Sequence, residues 1–270
     1  MQRRGNSTNF ILMIICILLT FAVSLGSYMA YDYFSQSDDA DKSSLLSAEI
    51  SSDDSSIEDV DKSDVDTIDK KAMSRRFDFD ELQSKVPDFY CWMYIPNTEI
   101  DYCVVHVDVN NQKYVWSDVY GDSSSVGCIF TYDTEEDDML RVFYGHHLSG
   151  PAKMFTELTN YENKEWAEEH PYVYLYFPDR VERWKVWAPQ YVTKSHAIYQ
   201  YPYHDGEADY DMLLSNLDTA FGEKFAEKPT MHDKIIALST CDSAIDGTSG
   251  RYVVPLKADI SQSYNEVSEN

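Results

Sequence analysis

The residue best suited to nucleophilic chemistry is Cys241, which ends the run Leu238-Ser239-Thr240-Cys241. A polar loop follows this strand-like run, and catalytic groups are commonly displayed where a strand opens into a loop. Cys91, Cys103 and Cys128 lie in or beside apolar runs, where a thiol serves as a small buried hydrophobe. The pattern predicts a reactive thiol at Cys241. The alternative is that these four cysteines form disulfides.

His146 and Arg251 are the side chains best placed to assist such a thiol. A thiol attacks as its thiolate, which a neighbouring imidazole stabilises. His146 follows the strand-like run Phe143-Tyr144 and a glycine, so it also lies at a strand end. Arg251 begins the next strand-like run, ten residues after Cys241, and its guanidinium could bind a developing oxyanion there. We expect a Cys-His-Arg site, with a purely structural role for these residues as the alternative.

The sequence carries no common metal-binding or nucleotide-binding motif. It has no CxxC and no HExxH pattern, which many zinc sites use. The acidic run from Asp133 to Asp138 lacks the ligand spacing of an EF-hand, so we expect a solvated turn. The ten glycines are scattered and form no phosphate-binding loop. We therefore predict no metal and no cofactor.

The charge balance excludes one class of partner. The 270 residues include 22 Lys and Arg against 47 Asp and Glu, a formal net charge of −25. Binding to nucleic acid needs clusters of basic residues that this composition lacks, so no nucleic-acid partner is expected. With 43% apolar and 14% aromatic residues, the chain can still build a substantial core.

Composition divides the chain into four segments. Residues 1–9 contain Arg3 and Arg4, and residues 10–31 carry no charge over 22 positions, enough to span a bilayer core of about 30 Å. The positive-inside rule then predicts a single-pass anchor with a cytoplasmic N-terminus and an extracytoplasmic remainder. A signal peptide cleaved near Gly26 is the alternative. Residues 32–73, rich in Ser and Asp, predict an acidic flexible tether, and residues 74–270 have the composition of a globular domain.

The globular segment predicts a mainly β domain decorated by helices. Asp78 and Glu81 resemble a capping box for a short helix that ends before Pro87. A second helix is expected from Pro151, with Met154, Leu158 and Tyr161 on one face, and a third along the apolar stripe from Tyr210 to Phe225. Strand-like runs are Ile100–His106, Gly127–Tyr132, Met139–Tyr144, Tyr172–Phe177, Val181–Ala188, Lys234–Thr240 and Arg251–Ala258. The expected architecture is a closed barrel or a sandwich.

Taken together, these segments resemble the class B sortase family. The runs Tyr144-Gly145-His146-His147, Met154-Phe155-x-x-Leu158, Leu238-Ser239-Thr240-Cys241 and Arg251-Tyr252-Val253-Val254 occur in the order of the family's motifs. Residues 92–102 resemble its W-x-x-I-P-x-T-x-I-x-Y stretch, and residues 127–130 resemble its G-x-I-F strand. The resemblance covers about residues 77–258, which is nearly all of the globular segment.

The resemblance implies a sortase-like closed β-barrel with N-terminal helices and an added helix, here Asp209–Ala226, before the strand that carries the cysteine. It also implies a membrane-anchored cysteine transpeptidase of Gram-positive bacteria. Cys241 would be the nucleophile, His146 the general acid and base, and Arg251 the group that stabilises the substrate and the oxyanion. Such an enzyme cleaves a C-terminal sorting signal, NPxT-like or related, after its Thr. It then joins the secreted protein, through a thioester, to an amine of a peptidoglycan precursor.

Three other functions are compatible with the same residues. An extracytoplasmic cysteine peptidase would form the same thioester and resolve it with water. A pilus-polymerising sortase would use a pilin Lys as the amine, but such enzymes typically carry a C-terminal anchor, and this chain ends in polar residues 268–270. A membrane-tethered module that binds the cell wall without catalysis would not need Cys241.

Overall fold

The computed structural model describes residues 5–50, 67–134, 138–150, 153–199, 207–217, 225–241 and 250–264. Helix α1 (Gly5–Ile50) comes first, and its segment Met13–Ser37 is long and apolar enough to cross a membrane, a test that a signal sequence also passes. The helix continues through residues 32–50, and residues 51–66 lie outside the described ranges. The division into anchor, tether and domain therefore stays a prediction.

From residue 67 onward, the described residues form nine strands and four α-helices, of which the first begins within the predicted tether. The helices are α2 (Lys70–Ser74), α3 (Phe79–Lys85), α4 (Lys164–Glu169) and α5 (Glu207–Leu217). The strands are β1 (Phe89–Tyr94), β2 (Asp101–Val107), β3 (Ile129–Tyr132), β4 (Leu140–Tyr144), β5 (Tyr172–Tyr176), β6 (Arg180–Val186), β7 (Gln190–Thr193), β8 (Ile235–Cys241) and β9 (Gly250–Ser263).

Eight of these strands close into a barrel. They pair in the order β6-β5-β1-β2-β3-β4-β8-β9, and β9 pairs back onto β6. The sheet is mixed, because β2–β3 and β4–β8 are parallel whereas the other pairs are antiparallel. Strand β9 is 14 residues long, so its first residues pair with the short β7 and its later residues with β6. The closed barrel is confirmed, and the sandwich alternative is wrong.

Alternation along the strands divides the apolar residues between the barrel interior and its outer face. On β8, Ile236 and Leu238 belong to the interior cluster, whereas Ile235 and Ala237 belong to a separate cluster with α5. The segment α2–α3 covers another part of the outer face, where Leu82 packs in one cluster with buried residues of β1, β2 and β5. The barrel is therefore filled inside and covered outside at two places.

The predicted helices are present but differ in extent. Asp78 caps α3 by accepting a hydrogen bond from the backbone N–H of Glu81 at 2.8 Å, as the capping-box pattern predicts. Pro151 lies outside the described residues, and Met154 has a φ of +46°, which is incompatible with helix. The segment is instead a 3₁₀ helix over Thr156–Glu162, in which the predicted face residues Leu158 and Tyr161 are buried.

The helix predicted at Asp209–Ala226 is α5, and it ends at Leu217 within the described residues. Leu213, Leu214 and Leu217 are buried against the barrel as the apolar stripe predicts. Residues 218–224 lie outside the described ranges. Phe225 is not helical, and its N–H donates to the carbonyl of Trp187 at 2.8 Å, so its place in the stripe is wrong.

A half-buried polar cluster attaches the segment before α3 to the barrel. The Arg75 guanidinium donates to both carboxylate oxygens of Asp101 at 2.9 Å, and the indole N–H of Trp92 donates to the same carboxylate at 2.6 Å. Trp92 is fully buried. The guanidinium also lies 4.3 Å from the ring centroid of Tyr94, a distance typical of cation–π contacts. Asp101 therefore satisfies one fully buried donor, the Trp92 indole, and one half-buried donor, the Arg75 guanidinium.

We predict that Asp101→Ala destabilises the protein by about 2 kcal/mol, because it leaves a buried indole N–H and a half-buried guanidinium without their acceptor. For a domain of this size, the thermal midpoint of the full chain in detergent should fall by roughly 4–8 °C. Asp80→Ala, which removes an exposed carboxylate on α3, is the matched control and should change stability by less than about 0.5 kcal/mol. Equal effects of the two substitutions would contradict this role of Asp101.

Candidate active site

Cys241 is the last residue of β8 and lies between two neighbouring strands. In the antiparallel pair with β9 its register partner is Arg251. Directly opposite residues share a face of the sheet, with Cβ atoms about 4.5–5.5 Å apart. On the other side β8 runs parallel to β4, with Ser239 paired to Tyr144. Two residues further along both strands, the same register brings Cys241 beside His146.

The register between β4 and β8 continues past the end of β4. The N–H of Gly145 donates to the carbonyl of Ser239 at 3.2 Å, and the hydroxyl of Thr240 donates to the carbonyl of Gly145 at 2.9 Å. A side chain at position 145 would not fit, since a Cβ built there lies 2.5 Å from Cδ1 of Ile129 and 2.7 Å from Cδ2 of Phe155. Glycine therefore lets His146 follow the strand closely.

The imidazole of His146 is held by the loop between β2 and β3. Its Nε2 lies 2.8 Å from the backbone carbonyl of Val115. A carbonyl accepts only, so Nε2 carries the proton and donates it to this bond. In the neutral ring Nδ1 is then the basic nitrogen. The Val115 carbonyl packs directly against Gly127. A side chain would not fit at position 127, because a Cβ there would lie 2.6 Å from that oxygen and the φ of +61° favours glycine.

Arg251 is half-buried at the start of β9, directly across from Cys241. One terminal nitrogen donates to the carbonyl of Gly250 at 2.8 Å. A guanidinium has five N–H donors arranged in a planar fork, so others remain to face a substrate oxygen. The structure therefore brings together all three residues that the sequence predicted for the site.

Cys241, His146 and Arg251 line one cavity of about 420 Å³ on the outer face of the barrel, at the ends of β4 and β8. The other lining residues are Asn110, Gln112, Val115, Cys128, Phe130, Tyr132, Tyr144, Gly145, Lys194, Tyr199, Ser239 and Thr240. Among these described lining residues Lys194 and Arg251 are cationic and none is an Asp or Glu. The charged side chains of the cavity wall are thus positive, whereas the chain as a whole has a net charge of −25.

Three lining residues that the sequence did not single out form a polar wall next to the thiol. The hydroxyls of Tyr199 and Ser239 lie 2.8 Å apart, and the ring centroids of Tyr144 and Tyr199 are 6.2 Å apart. Burial raises the pKa of Tyr199 to about 12, so its hydroxyl stays protonated at neutral pH. Ser239 lies two residues before Cys241, and Tyr144 lies two residues before His146. Residues two apart on a strand share a face of the sheet, so this spacing in the sequence is a signal for both.

The four cysteines with described side chains are free thiols, so the disulfide alternative is wrong for this structure. Cys91, Cys103 and Cys128 are buried, whereas Cys241 is exposed. Burial raises the pKa of each buried thiol well above its usual range, which keeps all three as unreactive thiols. Although Cys128 lines the cavity, Cys241 is the thiol with access to solvent.

None of the other histidines with described side chains lines the cavity, and three of them make contacts elsewhere. His147 is exposed and its backbone bridges to Met154. His106 bonds to Asp133 at 2.6 Å, and His170 stacks on Trp166. Within the described ranges, no group of three or more His, Cys, Asp or Glu side chains lies close enough to hold a metal ion.

Sequence comparison finds two relatives with the same name. The chain is 26% identical over 185 residues to sortase B of Listeria monocytogenes, which covers 64% of this chain and 71% of the relative. It is 25% identical over 183 residues to sortase B of Staphylococcus aureus, covering 66% of this chain and 73% of the relative. No family model matches the chain.

Solved structures give the same result for the fold. A Staphylococcus aureus sortase B–substrate complex matches 67% of this chain and 83% of its own, with a TM-score of 0.59 and 23% identity. Sortase B of Clostridium perfringens matches 67% of this chain and 98% of its own, with a TM-score of 0.59 and 24% identity. A sortase B complexed with triglycine matches 67% and 84%, with a TM-score of 0.56 and 23% identity.

The eight-stranded mixed barrel is therefore a sortase fold, and the chain is a cysteine transpeptidase of this class. In sequence and in fold, the chain is similar to the sortase B enzymes of these organisms. The helices α2 and α3 before the barrel and α5 before β8 agree with the architecture that the sequence resemblance implied.

We predict that a thiol-alkylating reagent labels Cys241 in the folded full chain and leaves Cys91, Cys103 and Cys128 unmodified until the protein is unfolded. Exposure and the pKa values of the buried thiols both favour this order. Peptide mapping by mass spectrometry, with and without denaturant, measures it. A disulfide-linked peptide that contains Cys241, or equally fast labelling of the three buried thiols, would contradict the prediction.

Proposed function

We propose that this sortase B-like transpeptidase cleaves a C-terminal sorting signal on a secreted protein and joins the new C-terminus to an amine of the cell-wall peptidoglycan. Cys241 acts as the nucleophile, His146 as the general acid and base, and Arg251 as the group that stabilises the oxyanion. The observation that carries the proposal is the strand register, which puts Cys241 between His146 and Arg251 at one cavity.

In the first half-reaction the Cys241 thiolate attacks the carbonyl carbon of the Thr in the sorting signal. The C–S bond forms, and the carbonyl oxygen becomes an oxyanion beside the guanidinium of Arg251. Collapse of this intermediate breaks the C–N bond, and the imidazolium of His146 gives the departing nitrogen its proton from Nδ1. A thioester on Cys241 and a neutral His146 remain.

In the second half-reaction an amine attacks the thioester carbonyl. Neutral His146 accepts the amine proton on Nδ1, while Nε2 stays bonded to the Val115 carbonyl. The new C–N bond forms and the C–S bond breaks, which restores the thiolate and the imidazolium. The sortase B structures with a bound substrate and with triglycine support a sorting signal as the first substrate and a glycine-type amine as the second.

The N-terminal helix supports a location at the membrane. Its apolar segment Met13–Ser37 follows Arg3 and Arg4, which the positive-inside rule keeps in the cytoplasm. The barrel would then lie outside the membrane, where secreted proteins and peptidoglycan precursors meet. A single span, with residues 1–9 inside, places the enzyme beside both of its substrates.

The test uses the full chain in detergent with a panel of quenched peptides built on Asn-Pro-x-Thr cores, and with triglycine as the amine. We expect cleavage after Thr and a new Thr–Gly bond, both read by mass spectrometry. Cys241→Ala should abolish both products, whereas Cys103→Ala, which removes a buried thiol away from the cavity, should retain them.

Arg251→Lys probes the oxyanion contact in the same assay. This substitution keeps the positive charge and loses the planar fork of donors, so turnover should fall at least about tenfold while the thermal midpoint stays within roughly 2 °C. Wild-type turnover in this variant would show that the planar guanidinium of Arg251 does not contribute to the reaction. A folded wild-type protein with free thiols that leaves every peptide intact would contradict the proposed function, and hydrolysis without amine addition would indicate a peptidase.

A further inference from the structure

A large exposed aromatic side chain flanks His146, and neither of the two half-reactions uses it. Trp116 is 63% exposed, although its ring centroid lies 5.3 Å from that of the His146 imidazole. It directly follows Val115, whose carbonyl holds the same imidazole. A tryptophan that served only to pack against His146 would gain by being buried, because apolar surface left in water stabilises nothing.

The backbone around Trp116 is held in place by a tight loop. The carbonyl of Trp116 accepts the N–H of Ser124 at 3.0 Å, and Ser117 and Ser123 form a β-bridge just beyond it. Within the loop, the carboxylate of Asp118 accepts backbone N–H groups at 2.9 and 3.0 Å. The backbone that carries the exposed indole is therefore already ordered. A ligand that binds the indole loses little free energy to ordering this loop.

The two sides of the cavity differ in charge. Lys194 and Arg251 lie on the side of β7 and β9, where the oxyanion of the first substrate forms. On the other side, the loop of residues 108–128 carries three Asp and a single Lys. That lysine, Lys113, is paired with Asp88 at 3.0 Å. The side that bears Trp116 therefore favours a cation.

The second substrate arrives at this place as a cation, because an amine in water is mostly protonated. The ammonium gives one proton to water, and the neutral amine then attacks the thioester and passes its second proton to His146. An ammonium that approaches the imidazole from the Trp116 side comes within the roughly 6 Å of an indole face over which cation–π attraction acts. The flat indole also offers apolar area to the glycine-like chain behind the amine.

We infer that Trp116 is part of the binding site for the incoming amine. Its ligand is a primary ammonium on a short, unbranched peptide, and its role belongs to the second half-reaction. This inference rests on the proposed function, because it assigns the second substrate of the same site.

The first experiment measures how the acyl-enzyme divides between water and amine. Full-length wild type, Trp116→Ala and Trp116→Phe are given one cleavable donor peptide and increasing triglycine, and hydrolysis and Thr–Gly products are counted by mass spectrometry. Trp116→Ala should lower the ratio of amine product to hydrolysis product at least about fivefold, and Trp116→Phe should restore much of it. Both products come from one thioester and both need His146. A merely structural role of Trp116 would therefore lower both rates and leave the ratio unchanged, which would overturn the inference.

Val109→Ala is the matched control, since Val109 is 62% exposed in the same loop but, unlike Trp116, places no ring against the His146 imidazole. A second measurement needs no turnover. In the ¹⁵N-labelled resting protein, triglycine should shift the indole N–H resonance that Trp116→Phe removes, and N-acetyl-triglycine, which has no ammonium, should shift it far less. Equal shifts by both peptides, or no shift at Trp116 in the folded protein, would overturn the inference even if the protein cleaves none of the donor peptides.

Discussion

The site depends on how β8 is paired on its two sides. Parallel pairing with β4 aligns the ends of the two strands, and antiparallel pairing with β9 sets Arg251 opposite Cys241. Because side chains alternate between the faces of a strand, a slip of one residue in either pair would turn one partner toward the barrel interior. Closure of the barrel by β6 and β9 removes the freedom to slip. Backbone hydrogen bonds between these strands therefore position the three residues of the site.

The outer face of the barrel explains why the cavity lies where it does. Helices α2 and α3 cover one part of this face and α5 covers another, so the apolar outer side chains of the strands are buried at both places. Between these covers the outer face stays open, and the loop between β2 and β3 reaches across to hold His146 through the Val115 carbonyl. Gly127 and Gly145 make room for this approach, because a Cβ at either position would collide with its neighbours. A rigid wall on each side pre-organises the imidazole and guanidinium around the thiol.

Much of this arrangement could be predicted from residue types and periodicity. The sequence predicts Cys241 and His146 because each lies where a strand-like run gives way to a loop, and these strand ends are neighbours in the barrel. The spacing of Met154 to Leu158 predicts a helix, but the left-handed backbone at Met154 is incompatible with one. The predicted strand-like runs include neither β1 nor β7. Strand β1 is apolar or aromatic throughout and shows no alternation, and β7 is only four residues long and pairs with β9 alone. The Val115 carbonyl and the side chains of Trp116 and Lys194 carry no sequence signal, since a tertiary contact alone brings each of them to the site.

A crystal structure of the full chain with a peptide aldehyde ending in Thr would show whether the three residues act together. An aldehyde adds the attacking sulfur to its carbonyl carbon, and the resulting hydroxyl stands in for the oxyanion. We expect a bond from this carbon to Sγ of Cys241, the hydroxyl oxygen within about 3 Å of the Arg251 guanidinium, and His146 still bonded through Nε2 to the Val115 carbonyl. A structure in which the aldehyde is bonded to another residue, or in which Arg251 points away from the adduct, would contradict the proposed roles.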